Sequence, residues 1–588
     1  MSVRLLSPGL FSLLRVSLSF FVLVGFSLLS TAKQPNVVVI LADDLGYSDL
    51  ASYGSEINTP NIDQLASEGV RFSNYHTSAS CAPTRAMLLT GVDSHRAGVA
   101  NIAESMPPEQ THSPFYNATL NLNAITVATL LKEAGYHTYM TGKWHLGYKE
   151  SELRPFNRGF ERTMMMADSG ADNWEQRSYL PHYLKSHWYA DGEEYDLPDD
   201  FYSSEFLVDK AIEFIDSNKD DDKPFFSYIP FQAVHIPVQA PKEFTEKYMG
   251  VYDQGWDVLR KKRQTGVKEQ GLIAADAPMR DMHTTDNWDA LTVEEQRFHS
   301  KSMAVYAGMV DAMDYNIGRF IQYLKDTGEY DNTIFIFTSD NGAEPSDPGE
   351  MSKLFPLMMM RLGYNRDYET LGEKGSYGYI GDDFASAAAG PLSYYKFFSG
   401  EGGIRVPMII AGPAVPDNKK GSINHAMSYV KDLAPTILEL ANVEHPGTDY
   451  NGLAIEPVTG KSLVDLTAGR VDKVHPKDEY IAYEIGGNAA VIKGDYKIMR
   501  NGAPVGDEKW HLFNLAVDPG ETKDLASTEP EKLAELINDY AHYVEANGVL
   551  PMPDGYEQRK QVSINFFREN VAGPAMMVLG VLVAIALL

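Results

Sequence analysis

The hydrophobic pattern along the chain alternates between two periods. Asn36-Val37-Val38-Val39-Ile40-Leu41 is an almost unbroken apolar, β-branched run, the pattern of a central parallel strand with both faces buried. Pro224 to Ile229, Thr333 to Thr338 and Val406 to Gly412 repeat it, and Tyr136 to Met140 adds a shorter strand. Helical periodicity fills the intervals. Pro60 to Val70 starts on a proline and lines up Ile62, Leu65 and Ala66. Ala124 to Gly135 closes on a glycine. Val293 to Lys325 predicts a long helix with Met303, Tyr306, Met309, Val310 and Met313 on its buried side. Strands alternating with helices imply an α/β fold, a large, mostly parallel sheet flanked by helices on both faces.

From about Val474 the pattern shortens. Tyr480 to Glu484, Ala489 to Lys493, Tyr496 to Arg500 and Trp510 to Asn514 predict a small antiparallel sheet, with a covering helix from Pro530 to Ala546. The two ends of the chain read differently. Arg4 and Arg15 precede and begin an apolar run from Val16 to Leu29, followed by Ser30-Thr31-Ala32, the arrangement of a secretory leader cleaved near Ala32. Val571 to Leu588 carries no charge and follows Phe566-Phe567-Arg568, so it is expected to associate with a membrane. The expected organisation is a leader over 1–32, a main α/β domain over 33–473, a small α+β subdomain over 474–550 and a tail over 551–588. The protein is expected outside the cytoplasm, periplasmic or extracellular, with the tail as a membrane anchor.

Composition changes this picture in two ways. Of 588 residues, 44% are hydrophobic and 22% charged, an ordinary globular balance. The net charge of −29 argues against a nucleic-acid partner, and any anion site must be a local pocket of Lys, Arg, His and metal. The single cysteine, Cys81, cannot form an internal disulfide. Lone thiols oxidise in exported chains, so its retention reads either as an inert buried residue or as a chemical precursor.

Two of the apolar runs end in hard oxygen donors. Asp43 and Asp44 follow the first strand, and Asp340 and Asn341 follow Thr333 to Thr338 after Ser339. If both strands are central, the four side chains converge where open α/β sheets place their ligands. An all-oxygen set suits Ca²⁺ or Mg²⁺ rather than zinc.

Ser80-Cys81-Ala82-Pro83-Thr84-Arg85 contains a C-x-P-x-R motif, and in this context the chain resembles the type I, formylglycine-dependent sulfatases. The resemblance extends in order through Asp43 to Asp49, Asn58 to Asp63, Leu89-Thr90-Gly91, Gly142-Lys143-Trp144-His145-Leu146-Gly147, His235-Ile236-Pro237, and Tyr395-Lys396 before Glu401 to Pro407. It ends in the small region with Trp510 to Leu515 and Asp518-Pro519. The segment from Tyr252 to Leu272 looks closest to bacterial-type arylsulfatases.

What the resemblance implies is specific. The fold is alkaline-phosphatase-like. Cys81 is converted by a formylglycine-generating enzyme to an aldehyde, whose hydrate attacks the sulfur of a small sulfate ester. Asp43, Asp44, Asp340, Asn341 and the modified Cys81 hold one cation, Ca²⁺ in preference to Mg²⁺. Asp340 accepts the nucleophile's proton, and Arg85 holds the modified residue. Lys143 and Lys396 bind the sulfate. His235 or Lys396 assists the leaving group, and His145 drives the release of sulfate. Aryl sulfates are the expected substrates. A phosphate or phosphonate monoester hydrolase, a carbohydrate sulfatase and an inactive binding protein are the alternatives. The aromatic and methionine-rich segment from Leu354 to Phe398 either walls the cleft or fills the core.

Overall fold

The computed structural model describes residues 33–347, 355–568 and 570. The expected leader over 1–32 and the apolar run of 571–588 lie outside the described residues. Among those described, no helix is long and apolar enough to cross a membrane.

The strands of the main sheet are β1 (Asn36–Ala42), β2 (Val70–Phe72), β3 (His137–Lys143), β4 (Arg162–Met166), β5 (Trp188–Ala190), β6 (Glu193–Glu194), β7 (Phe225–Pro230), β8 (Thr333–Ser339), β9 (Met408–Ala411) and β10 (Ser422–Asn424). Their order across the sheet is β10-β2-β9-β8-β1-β7-β3-β4-β5-β6. The centre, β8-β1-β7-β3-β4, is parallel. On one side β9 runs antiparallel to both β8 and β2, and on the other β5 and β6 turn back as a meander.

The unbroken apolar runs are explained by the two cores. Along β1, Val38, Ile40 and Ala42 pack into one hydrophobic cluster, while Val37, Val39 and Leu41 pack into another. β8 divides the same way, Phe335 and Phe337 against Ile334 and Ile336. A strand buried on both faces is apolar along its middle, where each fully buried aliphatic contributes roughly 1.5–3 kcal/mol, and its polar residues, Asn36, Thr333, Thr338 and Ser339, fall at the ends, where their side chains are hydrogen-bonded.

Helix α1 (Pro60–Glu68), helix α2 (Cys81–Thr90) and helix α3 (Val293–Asp326) pack around the sheet. α3 begins with a capping box in which Thr292 and Glu295 satisfy each other's backbone N–H groups. Its predicted face is buried, including Met303, Tyr306 and Met309. In the C-terminal region, β11 (Tyr480–Ile485), β12 (Asn488–Lys493), β13 (Tyr496–Arg500) and β14 (His511–Asn514) form the antiparallel sheet the sequence predicts. Helix α4 (Pro530–Asn547) covers it through Leu536, Tyr540 and Tyr543. The described residues from Pro35 onward form one compact unit. One reason is a buried ionic cluster. Lys497 on β13 lies between Glu401 at 2.9 Å and Glu521 at 2.7 Å, with all three side chains fully buried.

The structure departs from expectation in two places and decides an open alternative in a third. The run from Val406 to Gly412 yields only the short strand β9, and it is antiparallel. The helix expected over Ala124 to Gly135 spans Val127–Glu133 and starts on the Thr126 cap. In the segment from Leu354 to Phe398, Tyr364, Tyr377, Tyr379 and Tyr394 are buried in the main core, so these rings serve packing.

Candidate active site

The parallel register explains why the predicted ligands meet. β1 and β8 pair residue for residue from Asn36 with Thr333 to Ala42 with Ser339. Asp43 and Asp340 are the next residues on their strands, so both emerge at the same carboxyl edge. The edge is then stitched. Asp340 N–H donates to the Ala42 carbonyl at 3.1 Å, Asp44 N–H to Asp340 Oδ1 at 3.2 Å, and Leu45 N–H to Ser339 Oγ at 2.9 Å. Asp44 takes a left-handed φ of 65°, a conformation that Asp accepts better than most residues.

Cys81 is the first residue of α2, and Arg85 lies one turn further on the same face. That is the local meaning of the C-x-P-x-R spacing: the helix carries the cysteine at its positive end and the guanidinium directly behind it. Arg85 is fully buried and divides its donors. Nε and Nη2 reach Asp340 Oδ2 at 2.9 and 2.7 Å, and Nη1 donates to the Lys143 carbonyl at 2.7 Å.

Lys143 ends β3. Gly142 before it has φ 136°, and a Cβ there would stand 1.9 Å from the Pro230 carbonyl oxygen, so only glycine lets β3 approach β7 this closely. Lys143 Nζ then reaches Asp43 Oδ2 at 2.6 Å. Lys396, on the loop before Glu401, reaches Asp44 Oδ2 at 2.9 Å and Glu344 Oε2 at 2.6 Å. Its loop is joined to the cysteine loop by Phe397 N–H, which donates to the Ala79 carbonyl at 2.7 Å. His235 Nε2 lies 3.6 Å from Asp44 Oδ2, while its Nδ1 lies 2.6 Å from the Ile236 carbonyl oxygen and donates to it. Its ring packs against Gly170, where a Cβ would come within 2.8 Å of two ring atoms.

Nine of the ten predicted site residues therefore join one constellation of ion pairs, hydrogen bonds and close donor groupings at the strand ends. The tenth, His145, stands two residues beyond Lys143 with a left-handed φ of 56° and lines an adjoining cavity of about 750 Å³. Sequence reasoning missed Glu344, the second partner of Lys396, although an acid three residues after Asn341 was a signal. It also missed Glu104, whose neighbours in sequence carry no motif.

The electrostatics are those of a cation site. Asp43, Asp44 and Asp340 are fully buried and Glu344 nearly so, and these four carboxylates face the three cations Arg85, Lys143 and Lys396. Asp43 Oδ1 and Asn341 Oδ1 are buried without a hydrogen-bond donor. Burial pushes Asp43 well above the usual carboxylate range, against the pull of Lys143, and the Asp340 and Asp44 charges push it the same way. A buried acid in that position calls for a cation. Asp43, Cys81 and Asp340 each offer a donor atom within 4.8 Å of the others. Asn341 joins the set through Asp44, whose Oδ1 accepts from Asn341 Nδ2 at 2.6 Å. The carboxylates of Asp43 and Asp340, grouped with Cys81, would suit a hard divalent ion that offsets negative charge on a bound anion, while Asp44 falls in a second grouping with His235 and Glu344.

Comparisons with known proteins show the family. The family model described as Sulfatase matches residues 35–443. An uncharacterized sulfatase of Schizosaccharomyces pombe is 39% identical, covering 91% of this chain and 97% of the relative. An arylsulfatase of Klebsiella aerogenes is 35% identical over 76% of this chain and 95% of its own length. The crystal structure of Ps i-CgsB shares the fold, with a TM-score of 0.63 at 24% identity over 91% of this chain and 97% of that one. The chain belongs to the sulfatase family, whose enzymes hydrolyse sulfate esters.

Proposed function

We propose that the protein is an arylsulfatase whose nucleophile is the hydrate of a formylglycine made from Cys81, working with one Ca²⁺. The observation that carries this is the setting of Cys81. It is buried at the start of α2, with Arg85 one turn behind it and the Asp43–Asp340 edge within ligand distance. As a thiol it is poorly suited to attack. Burial pushes it above its ordinary range, and Lys143 and Lys396 pull it back only in part. A hydrated aldehyde at the same place needs no thiolate. It offers one hydroxyl to attack sulfur and a second through which sulfate is later expelled.

The remaining roles follow from the contacts. Asp340 takes the attacking hydroxyl's proton, and Arg85 keeps that carboxylate in place. Lys143 and Lys396 receive the sulfuryl oxygens. His235 commits its Nδ1–H to the Ile236 carbonyl, which leaves Nε2 as an acceptor and favours Lys396 as the donor to the departing oxygen. His145 removes the proton of the second hydroxyl.

The aryl preference rests on the cavity beside His145. Tyr148 stacks on His187 at 4.8 Å, and Tyr183 meets the same ring edge-on at 5.0 Å, forming an aromatic wall. The inner wall also carries the carboxylates of Glu104 and Asp168, while its lysine, Lys149, sits exposed beside Glu150. That lining suits an uncharged ring better than a polysulfated sugar. The name of the Klebsiella aerogenes relative points the same way. Maturation needs a formylglycine-generating enzyme. The location outside the cytoplasm rests on the residue pattern of 1–32, and the membrane-associated tail on that of 571–588.

Turnover of p-nitrophenyl sulfate, p-nitrophenyl phosphate and a disulfated glucosamine tests the reading. The aryl sulfate should be hydrolysed fastest. Faster hydrolysis of the phosphate or of the disulfated sugar would replace this assignment by one of the alternatives.

A further inference from the structure

His145 is the predicted site residue with the least support. Both its ring nitrogens are buried without a hydrogen-bond partner. A histidine that must take up a proton in one direction needs its ring held and its tautomer set. The group facing it is Glu104, whose Oε2 lies 3.9 Å from His145 Nε2 and is itself buried without a partner. The gap is too long for a hydrogen bond and closes with about 1 Å of movement.

Glu104 is held from two sides. Its Oε1 accepts from Ser169 Oγ at 2.6 Å, and Ser169 Oγ lies 2.9 Å from Tyr179 OH. The Tyr179 ring meets His235 edge-on at 5.1 Å, so one chain of contacts links the two histidines. The second hold comes from the far end of the sequence. Glu104 sits on the short turn Ala103–Ser105, against which the helix Gln558–Phe567 packs. Asn565 Nδ2 donates to the carbonyls of Glu104 and Met106, each at 2.9 Å, and Tyr556 OH donates to the Ser105 carbonyl at 3.0 Å. Gln561 Nε2 fixes Asn565 by donating to its Oδ1 at 3.0 Å. Asn565 also lines the cavity that His145 faces.

We propose that Glu104 is a positioning residue for His145, and that the C-terminal helix, through Asn565, holds Glu104 in place. This rests on the reading of His145 as the base that releases sulfate. His145 donates Nε2–H to Glu104, which leaves Nδ1 as the nitrogen with the lone pair. Nδ1 takes the proton of the free hydroxyl on residue 81. The O–H electron pair becomes the C=O bond, the C–O bond to sulfate breaks, and its electron pair leaves on sulfate. The carboxylate stabilises the imidazolium until the proton passes to water.

The test uses the full-length protein with Glu104→Gln, Glu104→Asp and Asn565→Ala. Stopped-flow release of p-nitrophenol from p-nitrophenyl sulfate should show a normal first turnover in Glu104→Gln, then a steady state slower by on the order of 10²-fold. KM should fall with kcat, leaving kcat/KM unchanged, and intact mass should show sulfate retained on the enzyme. Glu104→Asp should recover part of the rate, and Asn565→Ala should show the same burst with a smaller loss. A second readout needs no turnover. In a Cys81→Ala background, ¹⁵N shifts of the His145 ring should report the Nε2–H tautomer while Glu104 is present and its loss in Glu104→Gln. Wild-type kinetics in Glu104→Gln, or a lowered kcat with unchanged KM and no burst, overturns the proposal, as does an unchanged tautomer. A wild-type enzyme that does not hydrolyse the ester refutes the functional reading instead, and the tautomer still decides the role of Glu104.

Discussion

His95 offers a prediction whose size and sign both follow from the structure. It lies just beyond α2, the helix that starts with Cys81, and is fully buried. Its Nε2 is 3.1 Å from Glu484 Oε2 on β11, and its Nδ1 is 3.5 Å from Asp93 Oδ1. Tyr543 OH on α4 donates to Asp93 at 3.2 Å, and its ring packs edge-on to the imidazole. The cluster thus bolts the C-terminal sheet and its helix to the chain that carries Cys81. Burial alone would push His95 down, but the hydrogen bonds and charges of Asp93 and Glu484 outweigh it and raise the group to about 9. Against an unfolded value of about 6.5, that is worth roughly 3 kcal/mol. Because the folded value is the higher one, this stability is fully present below about pH 6.5 and is lost as pH rises through about 9. The perturbation is His95→Gln, which keeps a donor but cannot carry the charge. Unfolding free energies of wild type and variant, from urea titrations between pH 6 and pH 10, should differ by roughly 3 kcal/mol at pH 6 and converge by pH 10. A difference that stays constant with pH would show that His95 is neutral in the folded protein and that the ion-pair account is wrong.

Three further outcomes follow. Asp340→Ala should abolish hydrolysis and, by leaving the Arg85 guanidinium buried without its carboxylate, cost about 3–5 kcal/mol in denaturant unfolding; an active, equally stable variant would contradict both roles. Lys497→Met should leave Glu521 without its cation beside Glu401, which keeps only Arg405 at 3.5 Å and His76 at 3.0 Å, with a loss of about 3–5 kcal/mol that shrinks as the pH is lowered and the pair takes up a proton. Removing divalent cations with EGTA should abolish activity and lower the thermal midpoint, with Ca²⁺ restoring both better than Mg²⁺; at a hundred times its Kd, the ion adds about 2.7 kcal/mol.

Much of this architecture was legible because its signals are local or periodic. The doubly buried strands β1 and β8 declare themselves by unbroken apolar runs, and their pairing follows from the preference of such strands for a sheet centre. The acids that end them could meet only if both strands were central neighbours, and the parallel pairing of β1 with β8 meets that condition. Arg85 was legible only through the C-x-P-x-R motif of the resembled family; the structure supplies the reason for the spacing, since four residues on α2 is one turn. Direction was not legible in β9, because an apolar run buries equally well parallel or antiparallel. Nor was the fate of Tyr364, Tyr377 and Tyr379, since an aromatic ring suits a core and a cleft alike. Glu104 was out of reach for a different reason. It meets His145 through a turn fastened by Asn565, hundreds of residues later in the chain, and no spacing encodes that contact.

The central claim turns on residue 81. Mass spectrometry of the peptide containing it, from enzyme actively hydrolysing p-nitrophenyl sulfate, is the most direct test. The account predicts an aldehyde or its hydrate in place of the thiol, at an occupancy that tracks specific activity from one preparation to the next. Full activity in a preparation whose Cys81 remains an unmodified thiol would contradict it.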